Sequence, residues 1–209
     1  MNNAKWHTQR AKKMDLYNAI GDGIWQACDV LKRDPKSAID FGSSIGALLS
    51  VLPVDVRRGL DYSPDALHNA MIDDIVLIDL DDADQMRVAI NGERFDLIIS
   101  QEVAEHCQAI RQEEAPQYDM PLVKAITSAA HANTVLAFGA AYIGQPGRGH
   151  ISCRSARFWQ CAFENEGWRF EHRATAVYAA TLCKTMPIRA RNGQTCCYLN
   201  TMMFTRRGR

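Results

Sequence analysis

A chain of 209 residues with no formal net charge, 47% hydrophobic and 23% charged, has the proportions of a globular protein of one domain. Its longest apolar runs, such as Ile75–Ile78 and Thr134–Phe138, fall far short of the ~20 residues of a membrane span, and the composition argues against a collagen, a coiled coil or a disordered tail. The charge is unevenly spread, at +3 over residues 1–37, −11 over 38–147 and +8 over 148–209. Such runs usually only solvate a surface, but a basic C-terminal third also suits an anionic substrate or a polymer of phosphates.

Apolar residues from Trp6 to Leu31 recur at helical spacing, and Gly21-Asp22-Gly23 interrupts them, which predicts two helices with a bend. Asp34-Pro35 ends the second. Ser37–Phe41 reads as a strand, running through Gly42-Ser43-Ser44-Ile45-Gly46 into a helix over 47–52. Val56–Asp61 is the next strand, and Ser63-Pro64-Asp65 starts a capped helix with proline at its first position. Ile75–Asp79 is a strand and Ala83–Ile90 a helix. Phe95–Ser100 is a strand apolar enough to be buried on both faces, as in a parallel sheet. A polar loop over 107–119, a helix over 120–132 and a strand Thr134–Ala140 follow. Ser155–Glu166 is a helix whose Phe158, Trp159 and Phe163, with Trp168, are read as core. Trp168–Arg173 is a strand, and a loop containing Pro187 and Asn192-Gly193 leads to a last strand over Cys196–Thr205. Strands alternating with helices mean an α/β fold with right-handed crossovers.

Four successive strand ends carry polar residues, which is what the carboxyl edge of an open α/β sheet needs to bind a ligand. Asp40-x-Gly42-x-x-x-Gly46 sets glycines at a tight turn and a helix start, where backbone N–H groups approach a charged cofactor. Asp61, 21 residues after Asp40, suits the hydroxyls of a ribose. Asp79 ends the third strand, and Ser100-Gln101-Glu102-Val103-Ala104-Glu105-His106 follows the fourth. Seven cysteines without a Cys-x-x-Cys pair, and a start without a signal-like apolar stretch, lead us to expect a reduced, cytoplasmic protein. His150 and Cys153 have the spacing of a metal pair, but no second pair follows, so no metal is expected.

These segments together resemble the class I S-adenosylmethionine-dependent methyltransferases of small-molecule type. Ala38–Gly46 resembles the family's first motif, Gly59-Leu60-Asp61-Tyr62-Ser63-Pro64 its ribose-binding motif, and Ile78-Asp79-Leu80 the segment of its adenine contacts. Phe95–His106 is similar to its fourth motif, and Leu199-Asn200-x-x-x-Phe204-x-Arg206 to the final strand of many members. The resemblance covers residues 36 to 206 in the family's order. It implies a Rossmann-like α/β fold with a seven-stranded, mostly parallel sheet flanked by helices and a reversed last strand. It implies a methyltransferase domain over 36–209, and the helical spacing before it gives N-terminal helices over 1–35, together one compact unit.

By the same resemblance, S-adenosylmethionine is the expected cofactor, held by Asp40, Gly42, Ser44, Gly46, Asp61, Tyr62, Asp79, Leu80 and Ser100. Ser44 stands where the family has its middle glycine. Serine lacks glycine's freedom at positive φ, so a reshaped loop is expected, its hydroxyl turned to the methionine part of the cofactor. The expected acceptor is a small molecule, a sugar or sugar nucleotide, methylated on oxygen or nitrogen. An oxygen acceptor needs its proton removed, and histidine suits that task near neutral pH. His150 is the first candidate base, with His106 and Glu102 behind it; His106 is expected to serve the cofactor side. Arg148 and Arg154 are expected to hold an anionic group of the acceptor. Two alternatives are an RNA or protein methyltransferase using the basic C-terminal region, and a non-catalytic partner domain of the same fold.

Overall fold

The computed structural model describes residues 14–107, 120–185 and 198–206. Its strands are β1 (Ser37–Phe41), β2 (Val56–Asp61), β3 (Ile75–Leu77), β4 (Phe95–Gln101), β5 (Ala130–Gly139), β6 (Trp168–Phe170) and β7 (Met202–Arg206). They form one seven-stranded sheet in the order β3-β2-β1-β4-β5-β7-β6. The β3-β2-β1-β4-β5 stretch is parallel, and β7 lies antiparallel to both β5 and β6. The helices are α1 (Met14–Val30), α2 (Ala47–Val51), α3 (Asp65–His68), α4 (Ala83–Ile90), α5 (Pro121–Ser128), α6 (Ala156–Asn165) and α7 (His172–Thr185). No helix among the described residues is long and apolar enough to cross a membrane.

Period-two alternation divides each central strand between two cores. Ile39, Ile98, Leu136 and Phe138 enter one core, with Trp159 and Phe163 of α6. Ala38, Leu97, Ile99 and Ala137 enter the other, with Ile20 and Ile24 of α1, Leu48 of α2 and Tyr178 of α7. Burial on both faces explains why Leu97–Ile99 of β4 reads as a continuous apolar run. Trp159, Phe163 and Trp168 are buried core, as expected of the aromatic cluster, and Phe158 packs at its margin.

Three expected elements are corrected. The first concerns the bend at Gly21-Asp22-Gly23, since α1 runs unbroken through it. Gly23 is there for close packing: a Cβ on it would lie 2.9 Å from the Tyr178 ring of α7. The second is the stretch after β6, read as strand and then loop, which is the 14-residue helix α7. Its buried face is only Ala174, Tyr178 and Leu182, too sparse a stripe to mark a helix. The third is β3, which stops at Leu77, so Asp79 lies beyond the strand end. Smaller shifts also occur. Pro64 is the N-cap of α3 rather than its first residue, with no side-chain cap bond. α5 ends at Ser128, leaving β5 to begin at Ala130, and β7 begins only at Met202. The expected polar loop, apart from Cys107, and the segment with Pro187, Asn192-Gly193, Cys196 and Cys197 lie outside the described residues.

Candidate active site

The carboxyl ends of β1, β2, β4 and β5 form one edge of the sheet. At β1 the chain turns through Gly42, Ser44 and Gly46, with φ of 87°, 53° and 76°. Ser44 takes the left-handed conformation itself, without glycine's freedom there. A residue with a Cβ is held there at a cost of about 1–2 kcal/mol. The offsetting contact is with Asp61 at the end of β2. Its Oδ2 accepts the Ser44 N–H at 2.7 Å and its Oδ1 accepts the Ser63 N–H at 2.9 Å. The Asp61 carboxylate thus joins the loop after β1 to the turn after β2, in a setting only 6% exposed.

Around that joint, Asp40 is buried in β1 between Gly59 of β2 and Ile99 of β4. Tyr62 stands 71% exposed at the rim. The hydroxyls of Ser63 and of Ser100, at the end of β4, are buried with no hydrogen-bond partner among the described residues. Asp79 is exposed and forms a local turn, its Oδ1 accepting the Asp81 N–H at 2.9 Å, while Leu80 is buried in the core.

The second half of the edge is a network that links the loops after β4 and β5 to the approach to β7. Glu102, at φ 56°, donates its N–H to the Gly139 carbonyl at 2.9 Å. Its Oε2 accepts from Gln145 Nε2 at 2.8 Å, and Asn200 Nδ2 donates to Gln145 Oε1 at 3.2 Å. Thr201 Oγ1 donates to Gln101 Oε1 at 2.9 Å. The N–H groups of Ile151 and Ser152 both donate to the Glu105 carbonyl at 2.9 Å, which fixes the 149–152 loop over the Ala104–His106 turn.

His106 and His150 meet in that fold-over, ring centroids 5.1 Å apart and edge to face. The sequence reading set them on different sides of the reaction; the structure makes them neighbours. His106 Nδ1 lies 2.9 Å from the Gly149 carbonyl, and His150 Nδ1 lies 3.2 Å from the Gln145 carbonyl. A carbonyl only accepts, so each Nδ1 carries the proton of its bond. The loop glycines close over these rings: a Cβ on Gly147 would stand 2.1 Å from His150 Nε2.

Glu105, which the sequence reading quoted but gave no role, lies beneath the pair. Its side chain is fully buried, His150 Nε2 is 3.8 Å from its Oε1, and no side chain hydrogen-bonds either carboxyl oxygen among the described residues. Burial pushes its carboxyl above the usual glutamate value, against the weaker pull of the Glu105 and Ala141 amides and the His150 ring. Arg148 is exposed, and the Arg154 guanidinium sits 5.3 Å over the Phe158 ring.

Neither a protein-family model nor a curated protein sequence matches the chain. Solved structures do match it. A TehB-like S-adenosylmethionine-dependent methyltransferase from Corynebacterium glutamicum superimposes with a TM-score of 0.56 at 19% identity, covering 98% of both chains. The sugar N-methyltransferase KedS8 from Streptoalloteichus matches with a TM-score of 0.59 at 15% identity, over 90% of this chain and 87% of that one. The plantazolicin methyltransferase BpumL, solved with S-adenosylhomocysteine, matches with a TM-score of 0.59 at 12% identity, over 99% of this chain and 91% of that one. The chain has the class I methyltransferase fold. In this methyltransferase fold the loops after β1 and β2 and the hydroxyls of Ser63 and Ser100 form one end of the edge. The Glu102–Gln145 and Glu105–His150 pairs form the other. Gln145 belongs to no segment whose spacing carries chemistry, and Asn200 enters the sequence analysis only as part of the last-strand segment, without a role; folding brings Gln145 to Glu102 and Asn200 to Gln145.

Proposed function

We propose that the chain is an S-adenosylmethionine-dependent methyltransferase acting on an oxygen or nitrogen of a small acceptor, a sugar or sugar nucleotide being the class favoured. The observation that carries the reading is the joint at Asp61. A buried carboxylate organises the crevice between β1, β2 and β4, with the buried, unpartnered hydroxyls of Ser63 and Ser100 beside it. Orphaned buried hydroxyls cost free energy unless something polar meets them, so they fit a ligand rich in hydroxyl and amino groups. Each oxygen of Asp61 keeps a lone pair after its amide bond and suits the ribose hydroxyls. Asp40, Gly42, Ser44, Gly46, Tyr62, Asp79 and Leu80 complete the cofactor side in this reading.

The cofactor supplies a methyl group already activated on a sulfonium, so the protein's tasks are positioning, exclusion of water and removal of a proton. His150 serves the last. Its Nδ1–H is held by the Gln145 carbonyl, which leaves Nε2 to take the acceptor's proton, and Glu105, 3.8 Å from that same nitrogen, steadies the charge that results. His106 orients the loop through Gly149, and Glu102 holds Gln145. Arg148 and Arg154 are assigned to an anionic group of the acceptor. We read residues 36–209 as the methyltransferase unit of a cytoplasmic protein and residues 1–35 as its N-terminal segment, which carries α1. Calorimetry with S-adenosylhomocysteine, followed by acceptor screening with a labelled methyl donor, tests the reading. It fails if the protein binds neither S-adenosylhomocysteine nor S-adenosylmethionine.

A further inference from the structure

We infer that Glu105, His106 and His150 form a binding site for a divalent cation of the zinc or manganese class. One ligand atom from each of the three lies within 4.8 Å of the others. Two imidazoles and one carboxylate are the donor set of catalytic zinc sites and of open-faced sites for other first-row metals.

The groups around the cluster are arranged as ligands require. Both histidines spend Nδ1 on a backbone carbonyl, Gly149 for His106 and Gln145 for His150. That is the arrangement that fixes a ligating ring and presents Nε2 to a metal. Glu105 adds an independent observation: a fully buried carboxyl that no side chain hydrogen-bonds among the described residues, with only the Glu105 and Ala141 amides directed at it. A buried carboxyl of that kind needs a counter-charge or a proton. The imidazole of His150 stops at 3.8 Å, beyond hydrogen-bond reach. Donors around a zinc ion at bond lengths of about 2.0–2.1 Å stand roughly 3.3 Å apart, so small side-chain movements bring this set to bonding distance. The backbone is already braced for it, because Ile151 and Ser152 clamp the His150 loop onto the Glu105 carbonyl.

Three protein donors leave a coordination position for an outside oxygen. Its use, to bind and acidify the acceptor's hydroxyl, rests on the methyl-transfer reading; the presence of the site does not. In the loaded protein His150 acts on the acceptor through the ion, and only in the metal-free protein is its Nε2 the base.

The test uses the metal alone. The full chain, stripped with a chelator, is titrated with manganese(II), read by loss of the free-ion electron paramagnetic resonance signal, and with zinc(II) by calorimetry. One ion per chain is expected. Affinity falls at least about tenfold in His150→Ala and in Glu105→Gln, which keeps the shape of the buried side chain, and holds in the surface variant His68→Ala. Absence of binding by the native chain overturns the proposal, as does binding that survives both substitutions. Zinc binding lost only in Cys153→Ser identifies a thiol site and overturns it equally. S-adenosylhomocysteine binding, measured separately, reports on the methyltransferase reading whichever way the metal result falls.

Discussion

Replacing Asp61 by Asn tests the joint on which the cofactor end of the crevice depends. The carboxylate accepts the Ser44 N–H at 2.7 Å and the Ser63 N–H at 2.9 Å, one on each oxygen. Asparagine has the same shape but one acceptor oxygen, so one buried amide must face an NH₂ group instead. A hydrogen bond to a charged acceptor contributes about 1.5–3 kcal/mol and an orphaned buried donor costs about 1–3; these describe the same loss from two sides, so about 2–3 kcal/mol is expected in total. For a chain of 209 residues that is a fall in melting temperature of roughly 4–12 °C. Ser44 loses the bond that holds it in the left-handed conformation, and S-adenosylhomocysteine affinity should drop about ten- to a hundredfold, or about 1.4–2.7 kcal/mol. Loop damage and lost ribose contact are separated by titrating both proteins with S-adenosylhomocysteine and its 2′-deoxy analogue. If Asp61 holds the ribose, the native protein discriminates between the two and the variant does not. An unchanged melt together with unchanged affinity refutes the reasoning. A lowered melt with the discrimination intact keeps the loop role and removes the ribose role.

His150→Ala should lower turnover about 10²–10⁴-fold on the true acceptor while S-adenosylhomocysteine affinity stays within about threefold; loss of cofactor binding instead would put the acceptor pocket on the wrong side. Gly23→Ala should destabilise by about 1–3 kcal/mol, because the added Cβ presses 2.9 Å from the Tyr178 ring; were the glycine there only to bend a helix, alanine would raise the melting temperature. Asp96 is opposed by burial, but bonds from the Lys36 and Ser37 amides, the Ser37 hydroxyl and His131 outweigh it and hold its carboxyl below the usual 3.8. A carboxyl lowered by folding stabilises above its unfolded value and loses that stabilisation as pH falls through its folded one. Asp96→Asn, about a third exposed, should therefore cost about 1 kcal/mol near pH 7 and progressively less below 3.8, as followed by thermal melts across pH.

The parallel core was legible because its physics is local. β4 is buried on both faces, so its Leu97–Ile99 stretch shows as an apolar run that ends in polar residues, and α4 as an amphipathic octet capped by Asp82, whose Oδ1 accepts from the Asp84 and Gln85 amides. α7 was illegible for the converse reason. Three buried residues in 14 suffice because Tyr178 fills the space that Gly23 leaves on α1, and that pairing spans 155 positions of sequence. In the crevice, the chain's own order identified Asp61 and His150 as residue types at strand ends. Only the tertiary structure decided that Asp61 reaches back to Ser44 and that His150 comes to rest against His106 and Glu105. The reason is that a loop's path is set by where its backbone N–H groups find partners. The 149–152 loop finds its partner in the carbonyl of Glu105, a contact that no spacing between residues 105 and 150 encodes.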